Sequence, residues 1–434
     1  MFQTLKNAWR MADLRKKILF SLFILLLYRI GSNIPVPFVN AAVVGSIADS
    51  SQGLMQYLNI LSGGAFSNAT LFALNISPYI TASIVIQLLA VAIPALERLS
   101  QQGEDGRKKL NQITRYVTVA LALMTAVGYY FMLKNYGMLA TEAKDNWFAA
   151  VVIVACYCAG SSLVMWLAEK INESGIGNGV SLILFVNIIS RVPSIIYALY
   201  QYATGQKTAH LWTGILIAVG ALVLSLVMVA LIVFINDSER RLPVQYAKKV
   251  VGRKMYGGQN STLPIKLNNT GVMPIIFASS IVSLPATIGM FVQPKSGGFW
   301  DKFFKVFDSG SWLYAVLTLI LIIAFAYFYI QISFNPVEVS NNLKKNGGSI
   351  PGIRPGKPTS DYITKVLNRI TLIGAIFLSF IAVFPMILNI VTGGKMSGLT
   401  FGGSSIIIVV GVIIETAREI EGQMTMRHYK GFLE

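Results

Sequence analysis

Ten apolar runs recur along the chain, each about as long as a bilayer's hydrocarbon core is thick, and they leave few folds open to it. A helix rises about 1.5 Å per residue, so crossing that layer takes roughly 17–25 residues. Runs of this order fall at 17–34, 70–95, 116–133, 148–168, 179–199, 213–235, 272–292, 312–333, 370–391 and 402–420. Backbone groups in lipid must be satisfied within their own segment, which selects helices. Composition removes the soluble alternative: 54% of the 434 residues are apolar and 13% charged, against about 25% charged in a soluble domain. The last run is the least clear, because Glu415, Arg418, Glu419 and Glu421 crowd its end.

An even number of spans puts both termini on one side, and the basic residues say which. Lys6, Arg10, Arg15, Lys16 and Lys17 precede the first run. The 96–115 loop adds Arg98, Arg107, Lys108, Lys109 and Arg115, and Lys170 follows the fourth run. The long loops at 236–271 and 334–369 and the C-terminal end hold the rest, so that 27 of the 36 Lys and Arg lie on one face. Cytoplasmic loops collect Lys and Arg, so this face and both termini are expected in the cytoplasm. The same reading gives an asymmetric use of the +17 net charge, where a soluble chain would suggest nucleic acid. The basic start MFQTLKNAWRMADLRKK and the apolar stretch after it resemble a signal peptide only in part. Arg29 and Pro35-Val36-Pro37 follow with no small-x-small cleavage site, so the run is read as the first retained helix.

The spans carry no Asp or Glu in their central parts. Ion-coupled transporters need intramembrane carboxylates or unwound carbonyl sites, which weighs against a secondary transporter with a midplane substrate site. A scaffold or insertase without a conducting path is the third reading. No H-E-x-x-H, G-x-S-x-G or P-loop occurs, so no catalytic residue, metal or cofactor is expected. Cys156 and Cys158 form a C-Y-C with no second ligand pair nearby and are read as small, soft packing residues. Arg29 has two readings, a partner for backbone carbonyls or an outer-end residue that snorkels. The second is preferred, since Pro35 limits the span.

Between the first two runs lies a short apolar piece, Gly53 to Ser62, followed by Gly63-Gly64. About ten helical residues reach only some 15 Å. A re-entrant element under a vestibule and an interfacial anchor stand level. Pro78 in the second span and Pro274 in the seventh each precede small or hydroxyl-bearing residues: Thr81, Ser83 and Gln87, and Ser279, Ser280 and Ser283. Two such spans five segments apart hint at two five-span halves, although small residues also serve ordinary helix packing.

These stretches carry a resemblance over nearly the whole chain. R-I-G-S-N-I-P-V-P at 29–37, L-S-G-G-A-F-S at 61–67, P-Y-I-T-A-S-I-V-I-Q-L-L at 78–89 and E-D-G-R-K-K at 104–109 are similar to the SecY family. So are G-I-G-N-G-V-S at 175–181, L-P-V-Q-Y-A-K at 242–248, G-V-M-P-I-I-F-A-S-S-I at 271–281, I-P-G-I-R-P-G at 350–356 and F-G-G-S-S at 401–405. Their order and placement at span boundaries make chance negligible.

The resemblance implies an all-α polytopic fold of ten transmembrane helices, in two inverted five-helix halves around an hourglass pore. The segments would be a cytosolic 1–17, an N-terminal half at 17–199 with a plug helix about 53–64, a C-terminal half at 200–420 and a cytosolic tail at 421–434. By motif, the pore ring falls on Ile76, Ile80, Val180, Leu184, Ile276 and Ile408, where the family often has isoleucine at the places of Val180 and Leu184. The plug falls on Leu54, Tyr57, Leu58, Leu61, Gly63 and Gly64. A lateral gate would pair Thr81 and Gln87 with Ser279, Ser280 and Ser283. Arg253, Lys254 and Arg354 match docking positions for the SecA motor or the ribosome; the family often has Arg-Arg where Arg253-Lys254 stands, and Lys cannot reproduce a bidentate contact. The implied activity is conduction of unfolded secretory polypeptides across the bacterial plasma membrane, with lateral release of transmembrane segments. Implied partners are SecE and SecG, SecA, the ribosome, signal peptides, nascent or preprotein chains, YidC and SecDF, and anionic lipids. No cofactor is implied.

Overall fold

The computed structural model describes residues 2–40, 43–44, 59, 62–140, 146–204, 211–246, 249–251, 254–256, 260–292, 298, 300, 303–304, 307, 311–391 and 403–430. Helix dominates. A short α1 (Phe2–Arg10) precedes α2 (Ala12–Gly31), α3 (Ser77–Ala92), α4 (Pro94–Gln101), α5 (Glu104–Asn135), α6 (Trp147–Ser174), α7 (Gly179–Ile189), α8 (Val192–Ala203) and α9 (Leu211–Asp237). After four strands come α10 (Met273–Val292), α11 (Trp312–Ser333), α12 (Pro336–Lys345), α13 (Lys357–Val391) and α14 (Gly403–Lys430).

Each expected span has a helix. Among the described residues six helices are long and apolar enough to cross a membrane: α5, α6, α7 with α8, α9, α11 and α13. The bent pair α3 and α4, turned by 106°, makes a seventh. The other three expected spans coincide with α2, α10 and α14. Charges at both ends of α2 and along the second half of α14 set them apart, while α10 is shorter in its apolar part and carries Pro285 inside. The fifth expected span is not one continuous helix: α7 ends at Ile189 and α8 restarts at Val192. The second begins at Ser77 rather than residue 70, with Pro78 in the first turn, where its missing N–H costs nothing.

Trp147, Trp212 and Trp312 lie at the first turns of α6, α9 and α11, all largely exposed. By the span count these ends share the face opposite the basic loops, and Trp belongs at a membrane interface. The apolar surface between is lipid-facing in character: on α9, Leu216, Leu226 and Phe234 are exposed by 73%, 61% and 71%. The main core runs through the middle of the bundle and draws Ile24, Ile80, Ile183, Ile235, Ile276, Phe325, Ile381 and Ile407 from eight helices.

The basic loop after α9 folds into strands, a feature the apolar pattern does not foretell. β1 (Glu239–Tyr246) pairs with β4 (Asn260–Lys266) in antiparallel register from Glu239↔Lys266 to Gln245↔Asn260. β2 (Lys249–Val251) and β3 (Lys254–Tyr256) form a smaller ribbon at the tip. β5 (Gly348–Ser349), from the other long loop, adds to the free side of β1. The two loops therefore make one three-stranded sheet, β4-β1-β5. Leu242, Val244 and Ile265 bury its inner face against Leu343, Ile350, Ile363 and Leu367.

The chain ends meet on the same side. α1 packs on α14, with Ala8, Leu14, Ile176 and Ile420 in one small cluster. Lys17 donates to Gln423 Oε1 at 3.2 Å, and Gly177 N–H donates to Glu419 Oε2 at 3.0 Å.

Candidate functional site

The six residues matched to a pore ring come from four helix ends. Ile76 is the N-cap of α3 and Ile80 lies one turn in. Val180 and Leu184 open α7, which starts where Asn178 accepts the N–H groups of Val180 and Ser181. Ile276 lies in the first turn of α10, and Ile408 near the start of α14. Five of them are buried members of the main core, and Val180 packs against it. Residues named from motifs up to 332 positions apart thus all lie in or against the main core, which also takes in Tyr28, Phe72 and Phe325. An aliphatic surface resists wetting and offers a passing chain no fixed partner.

α10 packs directly against α3. Three of the five polar residues matched to a gate bond within their own helices: Gln87 donates to Ser83 Oγ at 3.2 Å, Ser280 to the Ile276 carbonyl at 2.8 Å, and Ser283 to the Ser280 carbonyl at 2.9 Å. Thr81, Gln87, Ser280 and Ser283 are half-buried and Ser279 is buried.

Of the plug residues, Leu54, Tyr57, Leu58 and Leu61 lie outside the described residues. Gly63 and Gly64 are described, and both need a positive φ, 64° and 90°. Gly63 is seated tightly: a Cβ there would come within 2.8 Å of Ser190 Oγ and 2.9 Å of Asn187 Cα. Its carbonyl accepts from the Arg29 guanidinium at 3.3 Å, and the Ser190 hydroxyl, which donates to Asn187 O at 2.7 Å, lies 3.3 Å away. Arg29 is therefore a partner of a backbone carbonyl, against the preferred snorkelling reading. The physical reason is that α2 ends at Gly31, which leaves the side chain within reach of the returning loop.

Beneath that seat is a buried polar triad that the sequence reading missed. The Tyr28 hydroxyl donates to Asn187 Oδ1 at 2.9 Å and lies 3.1 Å from Asn75 Oδ1, which also accepts from Asn187 Nδ2 at 3.3 Å. Asn75 takes a left-handed φ of 54° immediately before α3, and the Tyr28 ring stacks on Phe72 at 5.5 Å. The triad joins α2, α3 and α7 at one point. Three uncharged residues in apolar runs gave little signal of it.

On the basic face, Arg253 lies outside the described residues, and the backbone of Lys254 is in β3. Arg354 is exposed on the loop between β5 and α13. That loop is fixed by its neighbours: Thr359 Oγ1 donates to the Arg354 carbonyl at 2.9 Å and Ser340 Oγ to the Gly356 carbonyl at 2.8 Å. Gly352 and Gly356 supply φ of 80° and 100°. Below the sheet, Arg418 of α14 donates to Asn236 O at 2.7 Å and Asp237 Oδ1 at 2.8 Å, and Asn268 Nδ2 donates to Asn236 Oδ1 at 2.7 Å. These bonds tie the end of α9 to the segment leading into α10. Burial pushes the nearby Lys266 ammonium down, with the Arg418 charge adding to the effect.

Cys156 and Cys158 are free and half-buried, packed against a second apolar cluster around Tyr129 and Tyr157. Among the described residues, no group of three or more His, Cys, Asp or Glu could hold a metal ion.

Comparison with known proteins agrees with the motifs. The SecY family model matches residues 70–417. The chain is 43% identical to the protein translocase subunit SecY of Streptomyces galbus, with 100% of each chain covered. It is 42% identical to that of Mycobacterium bovis, again over the full length of both. Its fold is like that of a structure described as a protein-conducting channel, with a TM-score of 0.63 and 16% identity over 94% of this chain and 92% of that one. With the helices and the full-length relatives in agreement, the chain belongs to the SecY family of protein translocase subunits.

Proposed function

We propose that the chain passes unfolded secretory polypeptides across the bacterial plasma membrane and releases transmembrane segments sideways between α3 and α10. Ile76, Ile80, Val180, Leu184, Ile276 and Ile408 form the constriction. The observation that supports this reading is that five of the six are buried in the main core and Val180 packs against it. A collar of that chemistry holds back ions at rest and binds every residue type weakly in transit.

The segment before Gly63 and Gly64 plugs the outer side, and the Gly63 seat fixes its C-terminal end. Thr81, Gln87, Ser279, Ser280 and Ser283 line the gate. Since Gln87, Ser280 and Ser283 have bonds within their own helices, a signal helix can replace the packing between α3 and α10 without stripping those bonds. The halves are 17–199 and 200–420, and both termini are cytoplasmic. The contact of α1 with α14 supports a shared side, and 27 of 36 basic residues support which one.

Arg253, Lys254 and Arg354 belong to the two long basic loops, whose cations would suit ribosomal phosphates or a motor such as SecA. A solved chain of like fold, with a TM-score of 0.61 and 15% identity over 94% of this chain and 92% of that one, is described as Sec61 in a canine ribosome-channel complex. SecE, SecG, YidC, SecDF and anionic lipids complete the proposed surroundings.

The test is reconstitution of the chain into vesicles with SecE-, SecG- and SecA-type partners. ATP should drive a signal-bearing precursor to a protease-protected position. Solute uptake with no protected precursor would overturn the reading.

A further inference from the structure

Between α10 and α11 the sequence reads W-D-K-F-F-K-V-F-D from residue 300 to 308. Trp300, Phe303, Phe304 and Phe307 are spaced i, i+3, i+4 and i+7, which puts four rings on one face of a helical turn. In the sequence Asp301, Lys302 and Lys305 fall between these rings and Asp308 follows them, and the four charges cancel. Trp300, Phe303 and Phe304 are helical, and the rings touch: Phe303 and Phe307 centroids are 5.0 Å apart, Phe303 and Phe304 5.6 Å, and Trp300 stacks on Phe304 at 6.0 Å.

The cluster has two directions. Phe304 lies on α10 at Gly289, where a Cβ would approach its ring to 2.8 Å. Trp300 and Phe303 turn outward, exposed by 59% and 38%. The segment joins the end of α10 to the start of α11 at Trp312, so by the span count it shares a face with the exposed Trp147 and Trp212. A short amphipathic turn at that depth meets the boundary between headgroups and acyl chains.

We propose that the 300–307 turn is a lipid-binding surface for the outer-leaflet interface, and that it tethers the outer end of α10 there through Phe304 and Gly289. Its neutral polar face makes the binding indifferent to headgroup charge. The tethering part rests on the assignment of α10 as a gate helix; the lipid contact does not.

The test uses the full chain with Trp300 as its one tryptophan, the other five replaced by Phe, in vesicles of phosphatidylcholine with or without phosphatidylglycerol. Bromines near the headgroup end of the acyl chain should quench Trp300 more than bromines near the chain end, and aqueous iodide should quench little, equally in both lipids. Quenching by iodide alone, stronger quenching from the chain end, or dependence on phosphatidylglycerol would each overturn the surface as proposed. For the tether, Trp300→Ala with Phe303→Ala should raise resting ion leak. An Ile80→Asn channel measured in parallel checks the channel reading itself. Leak raised by Ile80→Asn and unchanged by the aromatic pair overturns the tether alone.

Discussion

Replacing Gly63 by Ala tests the seat of the segment that follows the proposed plug. Two costs arise. A left-handed φ in a non-glycine residue costs roughly 1–2 kcal/mol, and Gly63 sits at φ 64°. A methyl group there would also press on the Asn187 backbone at 2.9 Å, and overpacking of a filled site costs about 1–3 kcal/mol. Gly64 separates the two. Its φ is 90°, but a Cβ there meets nothing within 4 Å, so Gly64→Ala carries the backbone cost alone. The seated arrangement should therefore lose about 1–3 kcal/mol more in Gly63→Ala than in Gly64→Ala. At about 1.4 kcal/mol per tenfold, the unseated population rises some five- to hundredfold beyond that of the control. The assay is resting conductance of purified channels in a planar bilayer, with folding checked by monodisperse elution in detergent. Gly63→Ala should leak more than Gly64→Ala, and Gly64→Ala more than the parent. Equal conductance in the two folded variants would refute the argument, because the Gly63 contact would then not hold the segment closed.

Ile80→Asn and Ile276→Asn should each raise ion leak, with Ile80→Val close to the parent; unchanged conductance in both Asn variants removes the ring assignment. Tyr28→Phe keeps the stack on Phe72 and removes the donor to the buried Asn187 Oδ1, at a cost of about 1–3 kcal/mol. Faster thermal inactivation in nanodiscs is expected, and an unaltered rate would show that the triad contributes no stability. Arg354→Glu should impair motor-driven export while the channel still inserts into the membrane at its normal level. Normal export in that variant would count against docking at this loop.

The helices were legible because lipid imposes a length and an apolarity that few sequences satisfy by accident. Gly179–Ile189 and Val192–Ala203 show the limit of that rule: apolar residues on both sides make one run of span length, but the helix stops at Ser190-Arg191, where Ser190 donates to the Asn187 carbonyl and Pro193 lies in the first turn of the next helix. The residues proposed for a ring could be named only through motifs, since an isoleucine in a span is ordinary packing until its neighbours in space are known. Arg29 was misjudged because its partner, a carbonyl 34 residues away, leaves no mark on local pattern. The sheet of the two basic loops escaped for the same reason. Basic residues such as Arg240 and Arg241 hide the alternation of buried Leu242 and Val244 in a strand of eight residues.

The pairing of β1 with β5 also bears on how such a chain can change over generations. At the join of the two loops Tyr246 stands opposite Gly348, and any side chain at 348 would press on the tyrosine ring at 2.9 Å. A larger residue at 348 becomes acceptable only once 246 has shrunk, so the two positions must drift together although 102 residues separate them. Loops exchanged singly between relatives would inherit half of that agreement. Exchanged as a pair, they carry it whole, which makes the two loops one heritable cassette.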